Sequence, residues 1–189
     1  MNCDNKHRVR FTLTSSILLL LNQRISVLDD FVHTILDDYE QCYILEEENS
    51  IARSLADCNI DYIDDEFFKT SLGIEEYLSF FGLANSMYSK SYEEDINNFL
   101  LDSNLCQYKD IPLCRLSAIV QIKTRLFISK KRNAQLLILS NNSGAIKDEE
   151  LIEVAEYIRM FCLQHNMIAI ITARSTPLVE VYMGEVFTL

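Results

Sequence analysis

A chain of 189 residues is the length of one ordinary domain. Its 49% hydrophobic content is enough for a packed core and excludes a disordered chain. The formal net charge of −11 argues against broad, sequence-blind nucleic-acid binding, although a local basic patch can survive in an acidic protein.

Residues 9–13 and 17–21 read as two strands. The second is a continuous apolar run, the pattern of a strand covered on both faces. Although Lys6, Arg8 and Arg10 precede it, the run has neither the length nor the cleavage site of a signal peptide. No apolar run reaches the span of a membrane helix. Residues 27–36 carry helical spacing, short strands are expected at 41–45 and 60–63, and a helix near 50–56.

The middle of the chain reads as helical. Apolar residues recur three and four apart at 74–83 and 93–101, and a third helix spans about 116–130. An apolar strand follows at 136–139, then an amphipathic helix at 148–163 and a β-branched strand at 167–172. Residues 179–182 and 185–188 are expected to close the chain as a hairpin about Met183-Gly184. Strand, helix and strand over 136–172 make a βαβ unit, which implies a parallel sheet. No Pro/Gly-rich linker separates the helical stretch, so 1–189 is read as one α/β domain with a helical insert at about 72–130. Four glycines in the whole chain are few for a nucleotide-binding α/β protein, whose phosphate loop needs close backbone approach.

Leu116-Ser117, then Gln121, Lys123 and Arg125, then Leu136-Leu137-Ile138-Leu139 stand in an order that resembles the ATP-binding cassette (ABC) transporter ATPase domain. In that family a Leu-Ser-Gly-Gly-Gln signature opens a helix leading into the apolar strand that ends in the Walker B Asp-Glu. Laid on this chain without a gap, the signature covers residues 116–120 and retains Ser117. The Walker B aspartate falls on Ser140 and the catalytic glutamate on Asn141. Residues 142–147 match the D-loop, its aspartate at Lys147, and the switch histidine falls on Ala173. Upstream, 17–21 resembles the strand entering the phosphate loop, which aligns with 22–30. Its lysine falls on Leu28 and its magnesium-binding hydroxyl on Asp29. Residues 60–65 resemble the strand ending in the Q-loop, its glutamine at Asp65, and 72–82 the helical subdomain segment that follows.

The resemblance implies a P-loop NTPase-like fold with a mainly parallel sheet, while the substitutions imply a pseudo-ATPase with degenerate Walker A and Walker B motifs. The stretch 22–30 has no glycine, and β-branched Ile25 and Val27 restrict its backbone. Leu28 carries no charge, and Asp29 and Asp30 place carboxylates where triphosphate would lie. At ~4 Å two like charges repel by about 4 kcal/mol at intermediate dielectric. Those aspartates suit an ordinary helix start instead. Ser140 and Asn141 offer no charge to Mg²⁺ or to an attacking water, and Ala173 has nothing to donate. Ala118-Ile119 replaces the signature's glycine pair. No catalytic residue, cofactor or metal is therefore expected. Taken singly, Ser117 reads as a helix N-cap, Asn141 and Asn142 as turn formers, and 136–139 as core.

Other clusters have simpler readings. Lys123, Arg125, Lys130, Lys131 and Arg132 read as a solvated helix face, with an anionic partner as the alternative. Asp61 with Asp64-Asp65-Glu66 reads as solvated acid, without the EF-hand spacing that a Ca²⁺ loop requires. Cys3, Cys42, Cys58, Cys106, Cys114 and Cys162 form no Cys-x-x-Cys pair and read as buried reduced thiols of a cytoplasmic protein. His7, His33 and His165 lack metal-ligand spacing.

Two functions remain open. By resemblance, the chain is a non-catalytic partner or regulatory subunit of an ABC transporter, in a bacterial setting such as peptide or antimicrobial export or immunity. It would dimerise with an ABC ATPase paralogue or with itself, and sit at the inner face of the membrane through a permease, with 72–82 as docking surface. The alternative is a nucleic-acid-associated degenerate P-loop protein, like those that bind DNA ends in CRISPR spacer acquisition. The retained Leu-Ser and the signature-to-Walker spacing favour the first.

Overall fold

Parallel pairing of the apolar runs builds the architecture. The computed structural model describes residues 10–13, 17–22, 32–33, 43–46, 51–54, 58–174 and 186–188. The strands are β1 (Arg10–Leu13), β2 (Ile17–Asn22), β3 (Tyr43–Glu46), β4 (Ile51–Ser54), β5 (Ile60–Ile63), β6 (Leu136–Asn141), β7 (Ile168–Arg174) and β8 (Val186–Thr188). The helices are α1 (Ile74–Ala84), α2 (Lys90–Asp102), α3 (Ala118–Lys131) and α4 (Asp148–His165).

Five strands form one wholly parallel sheet in the order β5-β6-β7-β2-β8. Such a sheet needs helical cover on both faces, which explains why all six residues of β6 are buried. A second sheet has the order β1-β3-β4, with β1 parallel and β4 antiparallel to β3. The helix expected near 50–56 is thus a strand where it is described. Seven residues are too few to sustain a helix by themselves. Pairing with β3, from Tyr43↔Ser54 to Glu46↔Ile51, gives every residue of β4 a cross-strand partner. The turn expected at Met183-Gly184 and the strand at 179–182 lie outside the described residues, and β8 pairs in parallel with β2. Of the helix expected at 27–36, Val32 and His33 are described; both are helical and Val32 is buried.

The stretch between β5 and β6 holds α1, α2 and α3 with short 3-10 turns at Phe67–Lys69, Cys106–Tyr108 and Leu113–Arg115. It shares one core with the sheet: Leu78 and Ile96 of the insert join Ile122, Leu137, Leu139 and Ile158 in a single cluster of buried side chains. α2 begins three residues ahead of the expected 93 because Ser89 caps it, its Oγ accepting the Tyr92 N–H at 3.2 Å. Two of the cysteines depart from expectation. Cys106 and Cys114 are exposed, because they lie in surface 3-10 turns rather than on a periodic apolar face, whereas Cys162 of α4 is buried and burial pushes its thiol up to about 12.

Each of α1 to α4 ends in a left-handed residue that is not glycine: Ser86, Asn104, Asn133 and Asn166. Each end closes by a backbone bond reaching back five residues, such as Ala134 N–H to Ser129 O at 2.9 Å and Met167 N–H to Cys162 O at 3.0 Å. Asparagine and serine do the work often given to glycine, so a chain with four glycines terminates its helices cleanly.

Gly82 of α1 is required for packing. A Cβ there would clash sterically with Cε1 of the Tyr92 ring, and that ring is buried and anchored by its hydroxyl on Leu78 O at 3.1 Å. Gly82→Ala is therefore expected to destabilise by about 1–2 kcal/mol, the overpacking cost outweighing the roughly 1 kcal/mol that Ala gains in a helix. Urea unfolding checks this. In a Tyr92→Ala background the same substitution should be neutral or stabilising.

Candidate functional site at the carboxyl edge of the sheet

In open parallel sheets, ligands bind beyond the carboxyl ends of the strands. Here β2, β6 and β7 end side by side. Leu21, Ala173 and Asn141 lie in one row across the sheet, with Asn22 opposite Arg174 one step further. The fold therefore brings together three of the positions singled out by sequence, Ser140, Asn141 and Ala173, at the strand end from which the 22–30 stretch departs. Leu28 and Asp29 lie outside the described residues.

The chemistry of this edge is structural in kind. Ser140 is 5% exposed and Asn141 3% exposed. Asn141 is more than a turn former: its side-chain amide donates to Ile146 O at 2.9 Å and accepts the Ile146 N–H at 2.8 Å. This two-point clasp closes the loop between β6 and α4. A turn bond from Gly144 N–H to Asn141 O at 3.1 Å and the positive φ of Gly144, 77°, shape its tip. Asn142 is held too. Its Oδ1 accepts from Thr172 Oγ1 at 2.8 Å and its backbone O from Arg174 Nε at 3.1 Å. Ala173 is 1% exposed and presents only a methyl group.

The remaining positions are dispersed. Lys147 is exposed in the N-cap position of α4 and makes no side-chain cap bond; Asp148, Glu149 and Glu150 in the first turn complement the helix dipole instead. Ser117 occupies the N-cap position of α3, as read from sequence, but its side chain accepts no capping hydrogen bond, so its expected capping role is not met. Asp65 follows β5, and its Oδ1 is buried without a hydrogen-bond partner. Its neighbour Asp64 receives the Phe67 N–H at 3.2 Å. Among the described residues no group of three or more His, Cys, Asp or Glu side chains is placed to hold a metal ion, and no helix is long and apolar enough to cross a membrane.

Two sequence clusters are corrected. The basic group on and after α3 is not the uniformly solvated face expected: Lys130 is exposed, whereas Lys123, Lys131 and Arg132 are half-buried and Arg125 is buried. Arg125 is buried and bonds Asp61 Oδ1 at 2.6 Å and Tyr62 O at 3.2 Å. Arg132 reaches the same Asp61 oxygen at 3.0 Å, and Ser129 Oγ donates to Asp61 Oδ2. Lys131 pairs with Asp95, and Lys123 lies over the Tyr157 ring at 5.2 Å. Asp61 accordingly does not belong with the solvated acids: it is fully buried. The signal was present in the sequence. Ile60-Asp61-Tyr62-Ile63 alternates along β5, and the period of two puts Asp61 on the same inward face as Ile63. A carboxylate there demands a cationic partner.

No protein-family model and no curated protein sequence matches the chain. Among solved structures, cbiO1 from Clostridium perfringens, described as part of the ABC transporter complex cbiONQ, superposes with a TM-score of 0.62 at 15% identity. The match covers 91% of this chain and 72% of that chain. The fold is a P-loop NTPase-like α/β fold with an ABC-ATPase-type core.

Proposed function

We propose that the chain is a pseudo-ATPase of the ABC type that serves as a partner or regulatory subunit of an ABC transporter. The observation that carries this reading is the Asn141 clasp. The position aligned with the catalytic glutamate is spent on holding Ile146, and its neighbours Ser140 and Ala173 are buried and uncharged at neutral pH. Phosphoryl transfer needs a carboxylate for Mg²⁺ and a group to orient water, and the described part of this edge provides neither. The family resemblance and the likeness to cbiO1, which is part of a transporter complex, support the transporter setting.

A partner surface is available on α1. Phe80, 62% exposed, lies on the segment 72–82 that the resemblance assigns to permease docking, and Leu83, 63% exposed, directly follows it. Large apolar side chains standing in water on one helix mark an interaction face. Dimerisation with an ABC ATPase paralogue or with itself, and a role in bacterial peptide export or immunity, complete the proposal. The nucleic-acid reading is weaker, because, of the cations it would use (Lys130, Lys131 and Arg132), Lys131 is bonded to Asp95 and Arg132 to Asp61.

Affinity capture with the full chain in its native host tests the proposal. Recovery of a permease or an ABC ATPase, lost when Phe80 and Leu83 are both changed to Ser, is the expected result. Recovery of nucleic acid and no transporter component would contradict it.

A further inference from the structure

Two grooves meet where α3 and α4 end. The first, about 750 Å³, opens at the edge where β5, β6 and β7 begin, the opposite edge from Ser140 and Asn141. Its cationic lining residues are Lys130 and Arg132, joined by the His165 imidazole and the amides of Asn59, Asn133, Gln135 and Asn166, and no Asp or Glu lines it. In a chain of net charge −11, a groove that holds two cations and no acid among amide, imidazole and apolar side chains is a local reversal of sign. The second groove, about 440 Å³, runs between α2, α3 and α4, and shares Lys130 and His165 with the first. Phe99, Tyr157 and Phe161 line it, each half-buried. The acids on its border are Asp95, paired with Lys131, and exposed Asp102.

The cations here have no sufficient internal role. Lys130 makes no ion pair among the described residues. Arg132 shares one carboxylate, that of Asp61, with Arg125, so one positive charge of that trio is uncompensated. Helix-end carbonyls attract cations, but the ends of α3 and α4 are already closed by backbone bonds, among them Asn133 N–H to Lys130 O at 3.0 Å. Burial, and secondarily the Lys130 charge, hold the His165 imidazole below its ordinary pKa. His165 also packs on Phe161, ring centroids 4.4 Å apart, linking the cationic groove to the aromatic one.

We propose that the region where the two grooves share Lys130 and His165 binds a small aromatic phosphate, the phosphate lying among Lys130, Arg132 and His165 and the ring against Phe161. Each groove falls in the usual size range of small-ligand sites. Cations and amides are the donors a phosphate needs, and half-buried rings are the surface an aromatic body needs. The site is separate from the carboxyl edge and does not depend on whether that edge binds nucleotide.

The test titrates the full chain with phenyl phosphate, inorganic phosphate and benzyl alcohol, following the His165 imidazole by NMR with His165→Asn for assignment. Phenyl phosphate is expected to bind more tightly than either fragment. The His165 pKa should rise on binding, since an adjacent anion favours the imidazolium. Lys130→Gln should weaken phenyl phosphate by roughly tenfold at unchanged melting temperature, since it removes one charge-assisted bond and Lys130 is exposed. An unresponsive His165, equal affinity in Lys130→Gln, or inorganic phosphate binding as tightly as phenyl phosphate would each overturn the proposal.

Discussion

Asp61→Ala is expected to cost about 3–5 kcal/mol of unfolding free energy, the largest effect of any single substitution considered. The carboxylate is fully buried and accepts from Arg125, Arg132 and Ser129 together. Removing it leaves the Arg125 guanidinium, itself only 10% exposed, without a counter-charge. The loss is also expected to reach beyond β5. Arg125 stacks over Phe81 of α1 at 5.8 Å, so the same side chain ties the insert to the sheet. For a domain of this size the change corresponds to a melting temperature lower by about 6–20 °C. Replacing both partners by apolar residues, Asp61→Leu with Arg125→Met, should recover much of the loss, because a buried pair is harder to break than to do without. Thermal and urea unfolding of the three variants decide the matter. A loss under ~1 kcal/mol for Asp61→Ala, the usual size for an exposed pair, would mean that the network is solvated.

The second large effect concerns restoring the acidic pair. Ser140→Asp with Asn141→Glu puts back the carboxylates that an ABC ATPase carries, yet it should produce a less stable protein and no hydrolysis. Asn141→Glu removes both bonds to Ile146, a residue 1% exposed, and leaves its backbone N–H and C=O without their partner. Each buried group left unsatisfied costs about 1–3 kcal/mol. The two new carboxylates would be buried at the end of β6, each at a desolvation cost. A destabilisation of about 2–5 kcal/mol is expected from these terms. Hydrolysis should stay absent because positioning precedes chemistry: Leu28 and the glycine-free 22–30 stretch still lack the means to hold a triphosphate. Urea unfolding and steady-state phosphate release, with Asn141→Ala as the matched control, separate the two effects.

Much of the fold was legible because periodicity reports burial. The run at 17–21, the run at 136–139 and the β-branched run at 167–172 became β2, β6 and β7, neighbours in one parallel sheet. The spacing in 74–83 and 148–163 fixed α1 and α4 to within about two residues. The misreading at 50–56 arose where cross-strand pairing decides, since β4 takes its conformation from β3 and not from its own residues. At the site, composition could say that Ser140, Asn141 and Ala173 lack charge. It could not say that Asn141 has gained a structural task, because the Ile146 backbone it clasps is defined only once the loop is folded. The basic group on α3 misled for a related reason. Charge counted along the sequence looks solvated, and the acids that hold Arg125 and Lys131, Asp61 and Asp95, lie 64 and 36 residues away respectively. Glycine scarcity was informative in a limited way. It argues against a phosphate loop, but helix ends were unaffected, since Ser86, Asn104, Asn133 and Asn166 adopt the left-handed conformation instead.

The most direct measurement is the melting temperature of the full chain with and without millimolar Mg²⁺-ATP. A ligand that binds only the native state must stabilise it, by about 2.7 kcal/mol at one hundred times its dissociation constant. In a domain of this length that corresponds to a shift of roughly 5–10 °C. The expected result is no shift, for the wild type and for Leu28→Lys alike, because one restored lysine does not make a phosphate cradle out of a glycine-free stretch. A shift of several degrees in the wild type, enlarged by Leu28→Lys, would show that the loop still binds triphosphate and would contradict the reading of this chain as a pseudo-ATPase.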